Sequence, residues 1–115
     1  MHALLTAARN IPIPSDVACA LAARLAAGAS GVAAAEIVSS RRSTRRVSTA
    51  RQIGMYLAHT VAGLPLTKVA EYFGRDRTTA AHACRLIEDR RDDEAFDKEM
   101  TELENLLLSI CGASR

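Results

Sequence analysis

Residues 73–84 read FGRDRTTAAHAC. Here Arg75, Asp76, Arg77, Thr78 and Thr79 crowd the start of a run in which Ala80, Ala83, Cys84 and Ile87 recur at helical spacing. A carboxylate accepts hydrogen bonds, a guanidinium donates them in a fork, and a threonine offers both a hydroxyl and a methyl. Asp76 is also suited to cap that helix, by accepting from the amides near Thr78 and Thr79. The chain has no paired carboxylates, metal-ligand spacing or nucleophile with a neighbouring base, so no enzyme is expected. His82 and Cys84 share the helix, but residues two apart point about 200° away from each other. Cys84 is read as core, and His82 as a support of the fold or a neighbour of backbone. What the exposed mixture does match is the edges of nucleic-acid bases, where donors, acceptors and methyl groups alternate.

Those residues need two elements to position them. "LTKVAEYFG" reads as a short helix opened by Pro65, apolar at Leu66, Val69, Ala70 and Phe73, and closed by Gly74. With the helix that follows, it has the proportions of a helix-turn-helix, although helix pairs with a glycine corner need not touch DNA. Tyr56, Tyr72 and Phe73 lie beside aliphatics at helical spacing and read as core rather than as stacking platforms for single strands.

The remaining sequence supplies the frame. Ser15 is expected to cap a helix with Val17, Leu21 and Leu25 on its apolar face, ending near Gly28. A short helix over about 32–38 follows, then the loop SSRRSTRRVS. Thr49 and Gln52 form a potential capping box for a helix carrying Ile53, Leu57 and Val61 and stopping at Gly63. The last helix, about 93–109, places Phe96, Met100, Leu103, Leu107 and Ile110 inside and acids outside. With aromatics at 3% and no tryptophan, the composition favours an all-α fold. Cys19, Cys84 and Cys111 lack any CxxC pairing and are expected as free thiols.

Charge is uneven along the chain. The net charge is only +2, yet residues 1–87 carry eleven Lys/Arg against four Asp/Glu, and residues 88–104 three against nine. No acid lies between Glu36 and Glu71, a gap that holds Arg41, Arg42, Arg45, Arg46, Arg51 and Lys68. Such a basic surface fits a nucleic acid or another acidic partner. The apolar stretch 17–35 contains Arg24 and two glycines and is read as soluble helix rather than a membrane span. With no secretory signal pattern at the start, the expected location is cytoplasmic, associated with the nucleoid.

The stretch RQIGMYLAHTVAGLPLTKVAEYFGRDRTTAAHACRLIE resembles the C-terminal DNA-binding domain of the DnaA-type chromosomal replication initiators. The family signature reads close to GRDHTTVLHACRKI, preceded by RQIAMYLARE and a basic RRS loop. The resemblance implies a compact, Trp-repressor-like bundle of about six helices that binds double-stranded DNA. On the matching positions it implies Arg42 for the minor groove and Asp76, Arg77, Thr78 and Thr79 for major-groove bases. Leu66 and Thr67 then approach base methyl groups, and Arg51, Lys68 and Arg75 are expected to anchor phosphates. His59 stands where the family commonly has a lysine or arginine, and either touches phosphate or is ordinary surface. Arg41, Arg45 and Arg46 complete the basic DNA-binding set.

The chain departs from the family in three places. Arg77 replaces a histidine, the paired glycine is reduced to Gly74, and the basic loop is one residue longer. Arginine and imidazole read different base edges, so the preferred site is expected to differ from the family's. No GxxxxGK[ST] phosphate loop is present, and no nucleotide or other cofactor is expected. The expected organisation is a flexible segment over 1–14, the DNA-binding domain over 15–110, and a tail over 111–115. The functional expectation is a stand-alone regulator of transcription or modulator of replication initiation at DnaA-box-like sites. The alternative is a protein-interaction module with weak, non-selective DNA affinity. The sequence defines no oligomeric state.

Overall fold

The computed structural model describes residues 13–39 and 43–112. Among them are six helices and no strand: α1 Ser15–Ser30, α2 Ala34–Ile37, α3 Arg45–Thr60, α4 Leu66–Phe73, α5 Arg77–Arg90 and α6 Glu94–Gly112. The all-α architecture is as expected, and its helix boundaries differ from the sequence reading in instructive ways. His2 and the other residues of 1–12, and residues 113–115, lie outside the described part.

In α1, Pro14 takes the N-cap position with φ −59°, and Ser15, expected as the cap, is instead the first helical residue. Proline presets the φ that a helix start needs and has no amide to leave unpaired. The helix runs through Gly28 and stops at Gly31, whose φ of 70° lies in the left-handed region. Its buried face is Ala18, Cys19, Ala22, Ala23, Ala26 and Ala27. Val17, expected on that face, is 42% exposed, and Leu21 and Leu25 are half-buried. The reason is close approach, because a strip of small side chains lets α1 lie directly against α3.

Helix α3 is the axis of the molecule and touches all five other helices. Accordingly it is buried nearly all round, at Val47, Ala50, Arg51, Ile53, Gly54, Met55, Tyr56, Leu57 and Ala58. Its cap is Thr44, whose hydroxyl accepts from the Val47 amide at 3.2 Å, not Thr49. Nothing in Arg45–Ser48 breaks a helix, so the helix extends outward to the earlier competent cap. The Ser43 and Ser48 hydroxyls, 3.1 Å apart, hold this start in place. Gly54 sits where three elements meet: a Cβ there would lie 3.2 Å from the Phe73 ring and 3.6 Å from the Ala23 Cα.

Helix α6 buries Phe96, Met100, Leu103, Leu107 and Cys111, while Ile110 is 51% exposed rather than inside. With Cys111 buried and Gly112 helical, the packed unit continues past residue 110. Cys19, Cys84 and Cys111 are free thiols.

The acidic helix is not wholly solvated, because Glu104 is buried. Arg91, just beyond α5, donates to Glu104 at 2.8 Å, Tyr56 at 3.0 Å, Thr101 at 2.9 Å and Asp97. The Tyr56 hydroxyl donates in turn to Glu88 at 2.8 Å. Burial alone lowers the Arg91 pKa, but the hydrogen bonds it donates to Glu104, Asp97 and Tyr56 raise it on balance. This cluster joins α3, α5 and α6 through one guanidinium.

Two predictions follow from this packing. Arg91→Ala leaves the buried Glu104 uncompensated and is expected to cost about 3 kcal/mol in urea unfolding; a loss below about 1 kcal/mol contradicts the account. At Gly54, alanine's helix propensity, about 1 kcal/mol, opposes a comparable contact cost. Gly54→Ala is therefore expected near neutral, and Gly54→Leu to lose about 3 kcal/mol by overpacking.

Candidate nucleic-acid interface

The turn between α4 and α5 is built from backbone hydrogen bonds. Gly74 adopts φ 66°, its amide donates to Glu71 O at 3.3 Å, and the Arg75 amide donates to Ala70 O at 2.9 Å. This pattern satisfies the last carbonyls of α4 and needs a residue that tolerates positive φ, hence glycine. Asp76 then caps α5, its carboxylate accepting from the Thr79 amide at 2.8 Å. Hydrogen bonds from the Thr79 amide, the Thr79 hydroxyl and the Thr78 amide hold its pKa below the usual carboxylate value.

Among the described residues, none covers the helix start on the far side of this cap. Asp76, Arg77, Thr78 and Thr79 are all exposed, whereas Ala80, Ala83 and Ile87 of the same helix are buried. His82 and Arg85 are exposed too, and their spacing from Thr78 by four and seven residues continues one outward stripe along α5. Arg85 is absent from the set expected from the sequence, and this i, i+4, i+7 spacing is the signal that marks it.

Beside the stripe, Thr67, Lys68, Ala70, Glu71, Arg75 and Arg77 line an open cleft of about 340 Å³. The structure thus brings together Thr67, Lys68, Arg75 and Arg77 from the expected set. Leu66 is half-buried at the start of α4. Glu71 is the acid in this otherwise basic cleft. The His59 Nδ1 lies 2.8 Å from Leu64 O, and since a carbonyl only accepts, Nδ1 carries the proton. His59 thereby ties the end of α3 to the chain that enters α4.

The basic segment divides. Arg41 and Arg42, the latter the minor-groove candidate, lie outside the described residues. Arg45 and Arg46 belong not to a loop but to the first turn of α3, exposed and with no acid beside them in that turn. Cations at a helix N-terminus oppose the helix dipole, so this placement costs stability while concentrating positive potential.

Arg51 requires a correction. It is 6% exposed, with Nε donating to Ile37 O at 2.6 Å and Nη2 to Glu36 O at 3.4 Å. Burial, and then the charge of Arg75, lower its pKa. A buried guanidinium must find acceptors, and the carbonyl end of α2 supplies them, so Arg51 is not presented to a phosphate. Arg75, half-buried, donates to Phe73 O at 3.0 Å, Gly74 O at 3.3 Å and Ser39 O at 3.2 Å.

Two short helices around a left-handed glycine, the second capped and open at its start, make a helix-turn-helix, a fold class of DNA-binding domains. Residues 21–87, more than half of the chain, match the family described as bacterial dnaA protein helix-turn-helix. The chain belongs to that family. It is similar to the chromosomal replication initiator protein DnaA of Thermoanaerobacter sp. (strain X514), 40% identical over 65 residues that cover 56% of this chain and 15% of that protein. It is also similar to the DnaA initiator of Bacteroides thetaiotaomicron, 33% identical over 75 residues, 64% of this chain and 16% of that protein. The chain thus spans a small share of the length of these relatives. Among the described residues, no helix is long and apolar enough to cross a membrane.

The cap gives a pH-dependent prediction. A carboxylate whose folded pKa is depressed contributes stability above its unfolded pKa and loses it as pH falls through the folded value. Asp76→Ala is therefore expected to be less stable than the parent at pH 7, with the gap closing below about pH 4; a gap independent of pH contradicts the cap. Arg45→Glu is expected to stabilise the fold by about 0.5 kcal/mol while weakening DNA binding.

Proposed function

We infer that this domain binds double-stranded DNA selectively, with the start of α5 against major-groove base edges and the basic segment before α3 against the adjacent minor groove. The observation that carries the reading is the exposure of Asp76, Arg77, Thr78 and Thr79 on a helix start held rigid by its own cap. A carboxylate accepts from cytosine N4, an arginine donates to guanine, and a threonine methyl packs on thymine. Preorganisation matters here, because the cap fixes the Asp76 carboxylate before any base arrives.

Lys68, Arg45, Arg46 and Arg85 add exposed cations suited to neutralise phosphates and release counterions. Glu71 acts in the opposite sense: it repels phosphate from the cleft, which penalises docking in the wrong register. Arg42 supplies the minor-groove contact by analogy with the family's basic loop. The domain serves as a regulator of transcription or a modulator of replication initiation by occupying DnaA-box-like sites, with a preference altered by Arg77.

The test is selection of bound duplexes from a random library at near-physiological salt, using the parent, Arg42→Ala and Arg77→Ala. The expected result is one defined motif whose information degrades at different positions in the two variants. Arg77→Ala is expected to lose roughly tenfold in discrimination at its base pair. A pool without any motif, together with binding erased by salt, would overturn this reading in favour of a protein-interaction module.

A further inference from the structure

Two guanidinium groups converge on the carbonyl oxygens of residues 36–39. Arg51 reaches them from the middle of α3, through Ile37 O and Glu36 O. Arg75 reaches Ser39 O from the turn between α4 and α5, with the same side chain also held on Phe73 O and Gly74 O. One arginine therefore satisfies the end of α4 and, 36 residues away in sequence, the chain that leaves α2. Ser39 lies immediately before the basic segment, and Asp76 and Arg77 follow Arg75 directly.

The far end of that segment is held as well. Thr44 caps α3 and Ser43 pairs with Ser48. Three residues lie between Ser39 and Ser43, so the four Cα–Cα steps reach at most about 14 Å even when extended. Whatever conformation this stretch takes, both of its ends stay tethered to the bodies that carry α5.

We propose that Arg75 is a positioning residue for DNA binding, acting with Arg51 to lock the root of the basic segment to the helix-turn-helix turn so that two grooves are met in one register. This rests on the duplex-binding reading above and changes the role expected of Arg75 from the sequence. Its guanidinium is engaged by three carbonyls, and its task is to hold the root of the basic segment in place, not to bind phosphate.

A phosphate anchor and a positioning residue leave different signatures. Loss of a phosphate contact lowers the slope of log affinity against log salt by about 0.9, and a lysine at the position restores the charge. Loss of a carbonyl clamp leaves the slope unchanged, and lysine, a single compact charge without a planar fork, does not restore it. The experiment titrates the selected duplex with the parent, Arg75→Ala and Arg75→Lys across a salt series, at a temperature where circular dichroism shows all three folded. Both variants are expected to bind roughly tenfold more weakly with the parent's salt slope. A double-mutant cycle with Arg42→Ala is expected to show strong non-additivity, since a minor-groove contact already removed cannot be misplaced.

Rescue by Arg75→Lys with a shallower slope in Arg75→Ala would overturn the proposal, as would additive effects with Arg42→Ala. If Arg75→Ala is unfolded, Arg75→Lys and its cycle with Arg42→Ala decide the question. Failure of the parent to select any duplex would instead sink the binding reading on which the proposal stands, so the two failures are separable.

Discussion

Carbonyl oxygens at helix ends must be satisfied, and in this molecule that requirement organises the candidate interface. Helices α2 and α4 end close to one another, and their terminal carbonyls are met by Arg51 and Arg75. Each guanidinium also complements the negative end of the helix it meets. Because Arg75 serves α4 and Ser39 together, the short α2 and the helix-turn-helix form one body. The core beneath makes this possible: α1 presents alanine to α3, Gly54 admits the Phe73 ring, and α4 is thereby seated with its turn facing outward.

Stability and binding make opposite demands on several side chains. Arg45 and Arg46 stand at the positive end of α3 with no acid in the first turn, an arrangement that folding alone disfavours. The compensation lies elsewhere, in the Arg91 cluster joining α3, α5 and α6. The acids of α6 thus serve two purposes. Glu104 and Asp97 neutralise a half-buried arginine that ties the fold together, and Glu94, Glu99 and Glu102 give the exposed side of α6 its acidic character.

The features legible in the sequence were those whose cause is local. Gly74 in a left-handed turn, Asp76 as a cap, the buried stripe of α5 and the burial of Ile53 and Leu57 in α3 all follow from neighbours within a turn or two. The misread features depend on distant partners. Arg51 looks like any cation beside a basic segment, and only the carbonyls of Glu36 and Ile37 turn it inward. Hydrophobicity alone points to Val17, Leu21 and Leu25 as the buried face of α1, because it favours large side chains, whereas close approach to α3 selects alanine. Thr49 with Gln52 satisfies the local rule for a cap as well as Thr44 does, and the Ser43 and Ser48 pairing lies outside that rule. Glu104, expected outside, is buried because Arg91, remote in sequence, supplies a partner for its carboxylate.

The central claim is spatial: the exposed start of α5 and the chain around α3's cap act on one duplex as a single surface. Amide chemical-shift mapping of the full chain during titration with its selected duplex tests this most directly. The account predicts that perturbations concentrate at Thr67, Lys68, Asp76 to Thr79 and Ser43 to Arg46, saturating together at one stoichiometry. Perturbations centred on the acidic face of α6, or an undisturbed α5 start, would contradict it.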